Sequence, residues 1–309
     1  MSTEKQTENY SAKAEVAQVK TRRSYLYIVL RELKNAPFTA WLGLILTLSY
    51  IFVAVFASFL APYGESQVFP ISYAPWSNEF YLGTDHIGRD ILTRLIYGAR
   101  NTIGIAFLTT ALSFVIGVSL GLIAAITRET LLDQILGRFV DVLMAIPLLI
   151  FALMLLSIFG PSALNLIIII AVLDSTRVFR LTRAVALNIV VMDYVEASRM
   201  RGERLFWIMR REILPNIIPP LVAEFGLRFC FVFLTIASLS FLGVGIQPPT
   251  ADWGSMVREM AGLIQFAELD IQIAITPLLP AAAIAILTIA VNFIADWFLH
   301  KTSGLIDVE

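Results

Sequence analysis

The chain has 309 residues, of which 58% are hydrophobic and 15% charged, with a formal net charge of −1 and a mean hydropathy of +0.77. A soluble domain carries about 25% charged residues, so this composition argues against a water-soluble enzyme, and the near-zero net charge implies no bulk attraction to nucleic acid. A single cysteine, Cys230, and only two histidines, His86 and His300, exclude an internal disulfide and argue against a dedicated His/Cys metal site.

Residues 1–20 are polar, with scattered Ala and Val, as in a solvated tail. The first uncharged apolar run starts after residue 38. That is late for a cleavable targeting peptide, although Ala57-Ser58-Phe59-Leu60-Ala61 has a small-residue pattern where one could be cut. A helix rises 1.5 Å per residue, so about 20 apolar residues cross the hydrocarbon core. Residues 39–60 give 22 without a charge, between Pro37 and Pro62. Residues 101–127 give a second run of 27, closed by Arg128 and Glu129. The stretch 142–173 is uncharged for 32 residues, and Gly160-Pro161-Ser162 in its middle reads as a turn between two spans. The later of these must continue past Asp174 towards Arg180. Residues 217–241, carrying Glu224 and Arg228, and residues 271–295 complete a predicted set of six transmembrane helices.

Basic residues then set the orientation. Seven Lys or Arg lie in 1–38, two in 127–141 and eight in 174–215, against three (Arg89, Arg94, Arg100) in 61–100 and only Arg258 in 242–270. Both termini are therefore expected in the cytoplasm of a multi-pass inner-membrane protein. The predicted organisation is a cytoplasmic tail over 1–38, a first helix over 39–60, an outer segment over 61–98, a permease-like membrane domain over 99–297 and a cytoplasmic tail over 298–309.

Several charged groups invite a role. Asp85, Arg89 and Asp90 in the outer segment could gate the mouth or contact an outer protein, or tie the loop by local ion pairs; His86 reads as a surface residue. Asp252 and Trp253 suit an interfacial anchor or an outer contact. Asp174, Arg177, Arg180 and Arg183 recur every three residues, as at a helix end meeting lipid headgroups, with gating as the alternative. Glu224 and Arg228 are four apart and can pair on one helix face. Charges within a span point to a functional path, while snorkelling near its end accounts for them equally well.

The segment 193–220, DYVEASRMRGERLFWIMRREILPNIIPP, carries the most information. A short helix is predicted from Glu196, Ala197 and Ser198, ended or bent at Gly202. A second, amphipathic helix follows, with Leu205, Ile208, Met209, Glu212 and Ile213 at helical spacing and arginines interspersed. Leu214-Pro215 is expected to stop it before the next span. This cationic hairpin has too little core to fold alone, which suggests that it rests in a groove of a soluble partner. The plain alternative is an ordinary basic loop.

Glu196, Ala197, Gly202, Leu214 and Pro215 resemble the EAA loop of binding-protein-dependent ABC importer permeases, at that family's spacing. Ser198 replaces its second Ala, and Glu212 stands where the pattern has Ile. LGTDHIGRDILTRLIYGAR (82–100), SLSFLGVGIQPP (238–249) and ADWGSMV (251–257) narrow the resemblance to the C-type subunit of the dipeptide, oligopeptide and nickel group. The end of the chain, 295–309, departs from it. The resemblance implies an all-α, six-helix type I importer permease of MetI-like fold, with 196–215 as the coupling helix to an ATPase. It further implies a second permease, two ABC ATPase subunits that hold ATP and Mg, and a periplasmic substrate-binding protein, within membrane lipid. This chain itself is expected to be non-catalytic and without cofactor, and no G-x-x-x-x-G-K-[ST] phosphate loop occurs in it. Peptides are the expected cargo, with nickel chelates, opines or glycosides as alternatives. A secondary transporter should show inverted repeats and midplane acids, and these spans are nearly free of acids. A membrane enzyme would need convergent acid, base and nucleophile, which the Arg-rich 174–215 segment lacks.

Overall fold

A backbone crossing hydrocarbon finds no water for its N–H and C=O groups, so it must satisfy them within helices or a closed barrel. The computed structural model describes residues 36–266, 268 and 271–302, and among them all repeating structure is helical. Most of the expected N-terminal tail, and residues 303–309 of the C-terminal one, lie outside the described residues. In chain order the helices are α1 (Phe38–Val55), α2 (Ala57–Leu60), α3 (Ile91–Ile126), α4 (Leu131–Ala145), α5 (Leu148–Phe159) and α6 (Ala163–Val190). They continue with α7 (Asp193–Met200), α8 (Leu205–Phe241), α9 (Trp253–Met260), α10 (Ile271–Ile275) and α11 (Leu278–Thr302).

Against the six spans expected, four helical stretches are long and apolar enough to cross a membrane by themselves: α1, α3, α8 and Ile271–His300. A fifth arises if α4 and α5 are one span, but they bend by 90° where they meet. The cause is Pro147, which lacks an N–H and pushes Ile146 into the extended region (φ −91°, ψ 130°). The predicted third span is thus a broken helix rather than a straight one. The predicted turn at 160–162 is present, and Ser162 Oγ caps α6 by accepting from Asn165 N–H at 3.1 Å. With 28 residues α6 is long enough to cross, but it carries Asp174, Arg177, Arg180 and Arg183.

The largest helix interface joins α3 to α6. Ser113, Gly117 and Gly121 recur every four residues on α3 and let the backbones approach. A Cβ on Gly117 would lie 2.6 Å from Val178 Cβ, and one on Gly121 2.8 Å from Thr182 Cβ. Around this pair, α1 packs on α3 and α11, and α8 packs on α3, α6 and α11. Trp253 at the start of α9 is buried among them. Its ring meets Tyr50 and Phe233 edge-on at 5.7 and 6.3 Å, and its Nε1 donates to the Leu95 carbonyl at 2.9 Å.

The expected stop at Leu214-Pro215 does not occur, because α8 runs unbroken for 37 residues. Its second turn is a π-helical stretch, Met209–Ile213, directly ahead of Pro215. The wider turn resets the hydrogen-bond ladder, so Pro215 falls in the first turn of the α-helical stretch that follows, where a missing N–H costs little.

Candidate functional site

The hairpin forms where α7 meets α8. Helix α7 begins three residues ahead of Glu196 and ends through Gly202, whose φ of +77° is left-handed. Gly202 N–H donates to the Arg199 carbonyl at 2.9 Å and Glu203 N–H to the Ser198 carbonyl at 3.2 Å. This closure satisfies the last free carbonyls, and a side chain in that backbone region costs about 1–2 kcal/mol.

The inner side of the hairpin rests on its own chain, which supplies the core that so short a segment lacks by itself. Val195, Ile208, Ile213 and Ile217 are buried in one cluster with Leu122 and Ile126 of α3 and Ala186 and Val190 of α6. Sequence reasoning missed this because the supporting residues are distant in the chain. The two departures from the family pattern also meet across the hairpin. Ser198 is buried, accepts from Arg201 Nη2 at 2.6 Å, and has its Oγ 3.4 Å from Glu212 Oε1. Asn216 Nδ2 donates to Tyr194 Oη at 3.2 Å and to the Glu212 carbonyl at 2.6 Å, tying the same two arms.

The opposite side is open. Glu196, Ala197, Gly202 and Pro215 are exposed, Leu214 is half-buried, and Ser198 faces inward. Met200 (83% exposed), Leu205 and Phe206 (68%) stand around Gly202. Met200 and Phe206 carry no family signature, so their importance emerges only from their joint exposure beside arginines. The result is an apolar tip with a cationic rim.

Inside the bundle, the predicted pair exists: Arg228 Nε donates to Glu224 Oε1 at 2.6 Å. Asp174 joins it, with its Oδ1 3.7 Å from Arg228 Nη1 and its Oδ2 accepting from Ser113 Oγ at 2.9 Å. The expectation that Asp174 faces headgroups at a helix end is overturned, since α6 runs on to Val190 and Asp174 is 1% exposed. At 3.6 residues per turn, steps of three drift by about 60°, so Asp174 and Arg183 lie on opposite faces. Arg183 accordingly pairs with Asp133 of α4 through two bonds of 2.7 and 2.8 Å, while Arg180 is exposed. Along α8 and its C-cap, Glu224, Arg228, Phe231, Thr235, Ser238 and Leu242 form one stripe at spacings of three and four. All six keep some exposure, whereas Val232, Phe233, Ile236 and Leu239 are buried.

The 61–98 segment is fixed by a third cluster. Asp85 accepts from Arg89 Nε and Arg94 Nη1, both at 2.7 Å, and Glu259 accepts from the same two guanidiniums at 2.9 and 2.7 Å. Burial alone would push the Asp85 carboxyl up; the Arg89 N–H, with the Arg89 and Arg94 charges, outweighs it and holds the group below the usual carboxylate range. Asp90 caps α3 by accepting from Thr93 N–H at 2.7 Å. Asp252 caps α9, accepting from Ser255 N–H at 2.8 Å and Thr102 Oγ1 at 3.1 Å. Asp85, Arg89, Asp90, Asp252 and Trp253 are all buried. Each spends its polar atoms on neighbours within the chain, so together they form a buried frame that ties the 61–98 segment to α3 and α9. Glu65, which the sequence did not single out, ties the loop to that frame through Asn101 Nδ2 and Ala251 N–H. Asp85, His86 and Glu259 offer ligand atoms within 4.8 Å of one another, yet two arginines already neutralise both carboxylates.

Residues 117–301 match the family model for the binding-protein-dependent transport system inner membrane component. Over 261 residues the chain is 35% identical to the di/tripeptide transport system permease protein DppC of Pseudomonas aeruginosa, covering 82% of this chain and 84% of that one. It is 38% identical over 264 residues to the dipeptide transport system permease protein DppC of Escherichia coli K12, covering 83% and 86%. The DppC of Haemophilus influenzae is 35% identical over 264 residues, covering 83% and 87%.

Proposed function

The chain belongs to the binding-protein-dependent transport system inner membrane components, and on that premise we propose that it is a permease subunit of an ATP-driven importer of peptides or peptide-like small solutes. It is a multi-pass inner-membrane protein with several apolar helices. Relatives named for dipeptide and di/tripeptide transport favour peptides over nickel chelates, opines or glycosides.

Six crossings are assigned to α1, α3, the bent pair α4–α5, α6, α8 and α10–α11. Crossing by α6 is supported by the pairing of its charges, since Asp174 has Ser113 and Arg228 nearby and Arg183 has Asp133. An even number leaves both termini and the Arg-rich hairpin on one side, and the excess of Lys and Arg there assigns that side to the cytoplasm, with the 61–98 and 242–270 segments outside. The permease domain then runs over 99–297.

Glu196, Ala197, Ser198, Gly202, Leu214 and Pro215 form the coupling element to an ATPase. The observation that carries this is the hairpin's exposed tip, Met200, Leu205 and Phe206 with its arginine rim, mounted at the junction of α6 and α8. An apolar anchor ringed by charge is what a groove in a soluble partner recognises. Movement of the tip would reach Asp174 and Arg228, which link α6 to α8 within the bundle. ATP and Mg belong to the two partner ATPases. The half-exposed α8 stripe with Glu224 and Arg228 lines the path shared with a second, distinct permease, because polar groups on a spanning helix are costly towards lipid. The framed outer surface over Asp85, Arg89, Asp90, Asp252 and Trp253 receives the substrate-binding protein.

The test is Glu196→Lys and Gly202→Leu in the reconstituted complex, scoring ATPase retention and uptake of labelled dipeptide. Loss of retention, or hydrolysis without uptake, is expected with membrane insertion intact. Retention and uptake both surviving would overturn the coupling assignment.

A further inference from the structure

Between α1, α3, α8 and α11 lies a cavity of about 740 Å³ that none of the roles above uses. Its walls are apolar, built from Ile51 and Val55 of α1, Phe107 of α3, Phe225 and Phe229 of α8 and Leu287 of α11. Two polar side chains close one end, Arg100 and Ser58, with Arg100 Nη1 donating to Ser58 Oγ at 3.2 Å. Arg89, Arg94, Arg183 and Arg228 each pair with a carboxylate, whereas among the described residues none pairs with Arg100. Arg100 is also the last charge before the uncharged run at 101–127, and Ser58 lies near the end of the run at 39–60. The polar end of the cavity thus sits at a membrane–water boundary, with its apolar shaft leading into the bilayer.

The dimensions fit one leaflet. From Thr47 to Phe59 the lining follows α1 and α2 for roughly 18 Å at the helical rise. Half of a hydrocarbon core is about 15 Å. Val55 and Phe59 are 67% and 87% exposed, so the cavity opens sideways. We propose that it holds a glycerophospholipid, one acyl chain in the shaft and the phosphate on Arg100.

The alternatives fit less well. A peptide in the shaft would find only Thr47, Ser58 and Arg100 to satisfy its backbone amides, and unsatisfied amides in an apolar site cost several kcal/mol, roughly. A helix of the second permease is the competing occupant, and cysteine capture at Gly104 distinguishes it from lipid. Assignment to the outer leaflet rests on the proposed topology; the site itself rests on the cavity and its unpaired cation.

The experiment uses the full permease complex in nanodiscs containing phosphatidylglycerol, delipidated with detergent, with residual phospholipid counted by native mass spectrometry. Gly104 lines the cavity, and a Cβ there meets nothing within 4 Å, so Gly104→Leu fills empty space without displacing protein atoms. Retained phospholipid should fall about tenfold in Gly104→Leu and in Arg100→Gln, a difference of about 1.4 kcal/mol each, and should survive in Arg100→Lys. Thermal midpoints checked alongside identify any variant that misfolds. Three results overturn the site: unchanged retention in both variants, displacement of the lipid by dipeptide, or disulfide capture of the second permease by Gly104→Cys.

Discussion

Ser198 and Glu212 are each unexpected for the family pattern, and they are complementary to each other. A charge in place of Ile is tolerable because the Ser198 hydroxyl lies across the hairpin from it, itself held by Arg201. Ser198→Ala should therefore cost about 1 kcal/mol by leaving Arg201 short of an acceptor, and less in a Glu212→Ile background. A double-mutant cycle on thermal stability in detergent should give a coupling of roughly 0.5 kcal/mol or more, and strict additivity would refute the pairing. Asp85 shows what burial with two arginines does to a single carboxyl. Its folded pKa lies below the unfolded value of about 3.9. Its contribution is present above that value and is lost as pH falls through the folded pKa. Asp85→Asn should cost about 3–5 kcal/mol near neutrality by breaking a buried pair. Melting curves from about pH 6 to pH 2 should show the protein and the variant converging at the acid end; a constant gap would mean that Asp85 is not the titrating group.

At the scale of elements, the α3–α6 seam depends on the absence of side chains. Gly117→Leu has to displace Val178 and the Ser175 carbonyl, and overpacking of this kind costs about 1–3 kcal/mol. Gly137→Leu, where a Cβ meets nothing within 4 Å, is the control that should leave the melting temperature close to that of the parent. The bends and continuities of helices were the least legible feature of the sequence. Pro147 breaks a helix and Pro215 does not, although both are prolines in or beside apolar runs. The difference lies in whether the preceding turn can widen, which depends on how Met209–Ile213 packs at the hairpin.

For the molecule as a whole, the tether between α6 and α8 is the physical link from hairpin to bundle interior. Arg228→Gln should reduce dipeptide uptake strongly while leaving assembly with the ATPase intact, because Arg228 lies well along α8 from the tip. Uptake assays on the reconstituted complex, with co-purification as the assembly check, decide this; normal uptake would remove Arg228 from the path.

Much of this was readable from the chain alone. The long uncharged runs and the arginine bias follow from local composition, because hydrocarbon penalises charge wherever it enters. The hairpin's position and the Glu224–Arg228 pair follow from spacing along one helix. What sequence could not give were contacts between residues far apart: Asp174 with Arg228, Asp133 with Arg183, Glu65 with Ala251, and the burial of Asp85, Asp252 and Trp253. Periodicity fixes which residues share a face, but only the packing of one helix against another decides whether that face meets lipid, water or protein. The sequence by itself determined that this is a helical membrane protein of a known family with an Arg-rich hairpin between two of its apolar helices. The tertiary structure alone decided which of its charges are spent internally and which are left open, because an ion pair between helices depends on distances that no stretch of local sequence contains.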